Sequence, residues 1–132
     1  MRMPPFLRRV PPGVWSMTVL VSNAAEQVEH EGWDPLEVDL RDARGKDDVL
    51  ARLGVAGSFP AHYGRNWDAA YYCLTDLSWR PEVPRVLLVR GPVDTVLRGV
   101  FEDAVDHWAA SRTPLWIIVH DGDAPALDEQ PG

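Results

Sequence analysis

Two almost unbroken apolar runs in the second half of the chain, Arg85-Val86-Leu87-Leu88-Val89 and Leu115-Trp116-Ile117-Ile118-Val119, constrain most tightly what this sequence can fold into. A strand with one wet face alternates with period two, whereas a run that is apolar at nearly every position suits a central parallel strand covered on both faces. Between the runs, Val96, Val100, Phe101, Ala104, Val105 and Trp108 recur at helical spacing, so residues 93–110 read as the longest helix, stopped by Thr113-Pro114. Strands alternating with helices, two of the strands almost wholly apolar, predict a small three-layer α/β domain with a mainly parallel sheet. Right-handed crossovers are the expected connections.

The first half supplies the remaining layers. Leu36-Glu37-Val38-Asp39-Leu40 alternates with period two and reads as a strand with one wet face. Residues 46–53 read as a helix with Asp47 and Asp48 in its first turn, where negative charge suits the helix dipole. Thr18-Val19-Leu20-Val21 is a short run of strand type. Ser22 and Asn23 offer an N-cap for a short helix over residues 24–31, ended by Gly32. This pair forms an extra N-terminal strand–helix unit at one edge of the sheet. Arg precedes an apolar stretch at the start, but Pro11-Pro12-Gly13 interrupts it, which favours a leader over a secretory signal. The expected organisation is a disordered basic leader over residues 1–13, one domain over 14–120 and a disordered acidic tail over 121–132.

A chain of 132 residues can bury a core without disulfides or metal. Its single cysteine, Cys73, cannot form an internal disulfide, which fits a reducing compartment; on the inner half of a helix it reads as a buried, inert thiol. No run approaches the roughly 18 apolar residues of a membrane span, so the expectation is a cytoplasmic protein without a membrane partner. The net charge of −7 is unevenly spread: residues 1–20 carry three Arg and no acid, residues 24–48 nine acids against three bases, residues 49–120 seven of each, and the tail four acids and no base. An acidic chain argues against direct nucleic-acid binding, because phosphate neutralisation supplies most nonspecific affinity. It permits a basic protein partner.

The segment Phe59-Pro-Ala-His-Tyr-Gly-Arg-Asn-Trp-Asp-Ala-Ala-Tyr-Tyr-Cys-Leu-Thr-Asp-Leu77 reads as a turn, a capped helix and an aromatic surface. Pro60 and Gly64 punctuate the loop, and Asn66 stands where an N-cap belongs. Trp67, Ala70, Tyr71, Leu74 and Leu77 form an apolar stripe, while Asp68, Tyr72 and Asp76, at i, i+4 and i+8, line the outer flank. Trp67 and Tyr71 are claimed both by core packing, the commoner use of such a stripe, and by a contact surface. Tyr72 sits between two acids, where core packing explains it less easily.

Catalytic patterns are absent from the sequence: no Gly-rich phosphate loop, no G-x-S-x-G, no H-E-x-x-H and no paired C-x-x-C. His30, His62, His107 and His120 fall on separate elements without metal-ligand spacing, and His30 and His120 sit at element ends, where a cation is tolerated. A His62–Asp68 pair is possible, although a solvent-facing loop histidine is the ordinary reading. Glu102, Asp103 and Asp106 read as a solvated helix face. No cofactor, metal or catalytic residue is expected.

The pattern Tyr63-Gly64, Asn66-x-Asp68-Ala69 and Cys73-Leu74-Thr75, in order and without gaps, resembles the barstar-like family of intracellular ribonuclease inhibitors. The resemblance extends by element order over residues 36–119. It implies a barstar-like fold, in which a helix and its preceding loop plug the active site of a small basic ribonuclease, carboxylates taking the place of substrate phosphates. It implies a partner-binding set of His62, Tyr63, Gly64, Asn66, Trp67, Asp68, Tyr71 and Tyr72, with Asp76 as the next acid on the stripe and Asp103 on the long helix as an outlying acid. This chain departs from the family at Tyr72, where the resemblance places the principal phosphate-mimicking aspartate, and at His62, where it places an aromatic residue; Arg65 adds a positive charge to the loop. Asp68 and Asp76 are separated along the axis by about 12 Å rather than the roughly 6 Å of one turn. Three readings follow: inhibition of a ribonuclease with a different site, binding or immunity against a non-ribonuclease protein through the same aromatic surface, or a structural domain.

Overall fold

The computed structural model describes residues 3–120. Four strands, β1 (Val14–Met17), β2 (Asp34–Asp39), β3 (Arg85–Arg90) and β4 (Leu115–His120), form one parallel sheet in the order β1-β4-β3-β2. The two apolar runs are the central strands: β4 is buried throughout and β3 at all positions but its last. Four helices, α1 (Ala24–His30), α2 (Gly45–Ala56), α3 (Trp67–Asp76) and α4 (Thr95–Trp108), complete a three-layer α/β fold.

The alternation of side chains across β3 and β4 divides the core in two. Leu87, Val89, Leu115, Ile117 and Val119 pack with Leu53 of α2, Leu74 of α3 and Leu97, Phe101, Ala104 and Val105 of α4. Val86, Leu88, Trp116 and Ile118 face the other way, toward Leu7, Leu20, Ala24, Val28 and Trp33. Every connection from β2 onward travels in one direction along the sheet and lays its helices on one face. The β1-to-β2 crossover travels back across the sheet, so its helix α1 lies on the opposite face, as right-handed connections require.

Three N-terminal expectations are corrected. Residues 3–13, read as a disordered leader, instead cover the second sheet face: Pro5–Leu7 forms a 3-10 turn, Leu7 is completely buried, the Phe6 N–H donates to Gln27 Oε1 (3.2 Å) and Trp116 Nε1 donates to the Val10 carbonyl (2.8 Å). The physical reason is that the seven-residue α1 is too short to cover that face alone. The first strand is Val14–Met17 rather than Thr18–Val21, because pairing with β4 runs out at Met17↔His120 and the chain then turns toward α1. The extra unit also does not stay at one edge, since only its strand does so. Residues 121–132, expected as a disordered tail, lie outside the described residues.

Two polar groups are deeply embedded at the N-terminal ends of the strands. Asp34, 6% exposed, is held bidentately by Arg80 (Nε–Oδ2 2.6 Å, Nη2–Oδ1 2.7 Å). Arg85, 3% exposed, lies over the Trp108 ring at 5.1 Å and donates to the Pro81 carbonyl (2.9 Å); burial pulls its guanidinium below the usual arginine range. At the opposite end His120, expected at a site tolerant of a cation, is buried as the last residue of β4, between Arg90 and Met17. The outer strand β2 carries Pro35 and the exposed Glu37 and Asp39, and Arg52 Nη1 donates to the Asp39 carbonyl (2.8 Å).

Candidate protein-binding surface

α3 begins as its sequence predicts. Asn66 is extended, and its Oδ1 accepts from the Ala69 N–H at 2.7 Å, satisfying one of the orphan donors of the first turn. The helix ends at Leu77, a left-handed residue (φ 50°) whose side chain is fully buried. Ala70 and Leu74 seat α3 on the core, and Trp108 Nε1 donates to the Leu74 carbonyl (2.8 Å), tying α3 to α4. Trp67 and Tyr71 are half-buried, so core and surface share them. Cys73 is half-buried too, and burial pushes its thiol up, which keeps it protonated.

The outer flank carries Asp68, Tyr72 and Asp76, all exposed, Tyr72 to 69%. The Tyr71 ring meets that of Tyr72 at 5.8 Å in an edge arrangement and supports it from one side. His62, Gly64, Arg65 and Asn66 are exposed on the loop leading into the helix. Arg65 is left-handed (φ 51°), unusual for a side chain with a Cβ. Asp103 stands exposed on α4, the helix packed beside α3. The structure therefore places His62, Gly64, Asn66, Asp68, Tyr72 and Asp76 in solvent on a contiguous loop and helix, with Asp103 on the neighbouring element.

Tyr63 is placed differently. Its ring lies against Gly54 of α2, where an added Cβ would come within 3.1 Å, and edge-on to Phe59 at 4.9 Å. The hydroxyl is enclosed and meets no hydrogen-bonding group among the described residues. Burial, with Cys73 adding to it and Arg65 opposing, pushes the phenol up to about 12. Tyr63 thus anchors the loop from beneath rather than presenting its hydroxyl outward.

Sequence reasoning missed the groups that fasten the other end of the loop. Phe59 sits between Tyr63 and Trp79, 6.2 Å from the latter, and Trp79 Nε1 donates to the Gly57 carbonyl (2.8 Å). Arg80, already paired with Asp34, donates through Nη1 to Ser58 Oγ (3.1 Å). An aromatic residue in a Gly- and Pro-rich loop was the available signal for Phe59. No local signal links Arg80 to Asp34, 46 positions away.

The arrangement is a loop anchored from beneath and a capped helix, with an exposed aromatic residue between two carboxylates. Among the described residues no group of His, Cys, Asp and Glu is arranged to hold a metal ion, and no helix is long and apolar enough to cross a membrane. A family model described as Barstar (barnase inhibitor) matches residues 33–120. A comparison with curated proteins finds no match.

Proposed function

The chain belongs to the barstar family, and from that premise we propose that it inhibits a small basic ribonuclease by stoichiometric binding, laying the 62–76 loop and helix into the enzyme's active-site cleft. The observation that carries this reading is the exposed flank of α3, Asp68, Tyr72 and Asp76, standing on a loop anchored from within by Phe59, Tyr63 and Trp79. A preorganised ledge of this kind loses little freedom on binding, which conserves affinity. Asp68 and Asp76 supply negative charge for the cations that normally hold RNA phosphates, Asp103 extends that charge onto α4, and Tyr72 supplies the apolar centre typical of an interface hot spot. Inhibition by occupancy requires no catalytic residue, cofactor or metal. Such a protein acts in the cytoplasm of the cell that makes the ribonuclease, keeping the enzyme silent or conferring immunity.

The exposure of Tyr72 also supports a second reading, in which aromatic contact replaces charge and the partner is a different protein. Titration calorimetry into barnase, with RNA cleavage followed in parallel, separates the two. Tight one-to-one binding with loss of cleavage, weakened strongly and salt-dependently by Asp68→Ala, supports ribonuclease inhibition. The absence of binding at micromolar concentration would remove a barnase-type enzyme as the target. Loss at Tyr72→Ala or Trp67→Ala with little salt dependence supports the aromatic reading.

A further inference from the structure

Residues 57–80 leave α2, carry α3 and return toward β3, and their two ends are fastened to each other. Trp79 Nε1 donates to the Gly57 carbonyl (2.8 Å) across 22 positions, and Arg80 Nη1 donates to Ser58 Oγ (3.1 Å). The other nitrogens of the same guanidinium hold the carboxylate of Asp34, the first residue of β2, whose own N–H donates to the Pro84 carbonyl (3.0 Å). One side chain therefore joins the start of the loop, the segment after α3 and the sheet. The pair is largely withdrawn from water, with side-chain exposures of 20% for Arg80 and 7% for Asp34, so it is not an exposed surface ion pair of small effect. Ser58 (φ 54°) and Leu77 (φ 50°) make the turns at the two ends in left-handed conformations, which persist only where surrounding contacts hold them.

We propose that Trp79 and Arg80 are positioning residues for the binding surface. By clamping residues 57 and 58 they fix where the 59–66 loop leaves α2, and so set His62 and Gly64 in place beside Asp68 and Tyr72 before a partner arrives. Neither residue stands on the exposed flank of α3, so each acts on the partner through the loop alone. That role rests on the inhibitory reading of α3 and its loop; the clamp itself is a property of the free chain. Released from the clamp, the loop keeps Tyr63 against Gly54 and Asn66 at the helix start, but its entry is free to swing. A loop that must be ordered on binding costs affinity, and the apparent dissociation constant rises as the fraction of chains with the loop in place falls.

The test uses full-chain Ser58→Ala/Trp79→Phe, which deletes both hydrogen bonds, keeps a ring beside Phe59 and leaves the Arg80–Asp34 pair in place. Two hydrogen bonds of ordinary net strength correspond to about 10- to 100-fold in the ratio of closed to open loop. The Phe59 and Tyr63 amides, which donate to the Gly54 and Pro60 carbonyls, should exchange at least about 10-fold faster, with the circular dichroism of the parent retained. Affinity for barnase, measured by calorimetry, should fall at least about fivefold with the parent's salt dependence, because no charge has been removed. Val28→Ala, a cavity variant on the opposite sheet face, should lose stability and keep the parent's affinity. Ser58→Asn, which tolerates the left-handed backbone and retains an acceptor for Arg80, should behave as the parent where Ser58→Ala does not. Parental exchange at Phe59 and Tyr63 in the double variant overturns the clamp. Faster exchange with unchanged affinity, or an equal loss of affinity in Val28→Ala, overturns the positioning role. A parent chain that fails to bind barnase overturns the choice of target instead, and the exchange rates alone then decide the clamp.

Discussion

The enclosed hydroxyl of Tyr63 makes a prediction that separates anchoring from contact. Tyr63→Phe removes one oxygen and leaves the ring against Gly54 and Phe59. A buried hydroxyl without a hydrogen-bond partner costs about 1–3 kcal/mol, so its removal is expected to stabilise the fold by about 1 kcal/mol at the lower end of that range. Unfolding entropy of about 2.1 cal/mol/K per residue amounts to about 0.28 kcal/mol/K for 132 residues, so the midpoint should rise by about 4 °C. The ionisation of Tyr63 gives an independent readout. Its pKa is raised in the folded state to about 12, from an ordinary value near 10. This ionisation therefore leaves stability untouched below about pH 10 and lowers it as pH rises from 10 through 12, where the unfolded phenol ionises and the enclosed one resists. Urea and thermal unfolding followed by circular dichroism, repeated from pH 7 to 12, should show a more stable variant with a shallower alkaline decline. Destabilisation by 1 kcal/mol or more, or an alkaline decline identical to the parent's, would refute the enclosed, unpartnered hydroxyl.

Three other outcomes follow from the same geometry. Asn66→Ala should cost about 1 kcal/mol by removing the α3 cap, visible as faster hydrogen exchange of the Ala69 amide. Asp34→Ala leaves Arg80 unpaired beside the buried Arg85 and should cost about 3–5 kcal/mol in chemical denaturation, whereas an exposed change such as Glu37→Gln should leave stability within about 0.5 kcal/mol. Asp39 is held down to about 2 by hydrogen bonds from Arg41, so its stabilisation is present above about pH 4 and lost as pH falls through 2; acid titration of Arg41→Ala should show that part of the transition moved toward pH 4.

Continuous apolarity at β3 and β4, together with helical periodicity in α4, was enough to read a parallel three-layer domain, because both signals are local in sequence and set by burial. The Asn66 cap and the outer flank of α3 were legible for the same reason. α4 starts at Thr95 rather than Val93, because Asp94 caps it by accepting from the Leu97 N–H (2.8 Å). Residues 3–13 differ from the expected leader because Pro-rich, Arg-bearing sequence looks disordered until an uncovered sheet face is there to hold it. Tyr63 faced the same difficulty. An aromatic in a surface loop reads as a contact, and only the glycine at position 54, nine residues earlier on α2, shows where the ring goes. Arg80 and Asp34 meet through the tertiary fold alone.

The unpaired margin of β2 bears on how concentrated this chain can be. An open strand edge at high concentration is a template for fibrous self-assembly. Here Pro35 offers no backbone donor, Arg52 occupies the Asp39 carbonyl, and the exposed Glu37 keeps a charged side chain on the strand. Resistance to edge-to-edge pairing is thereby written into the one strand whose sequence alternates.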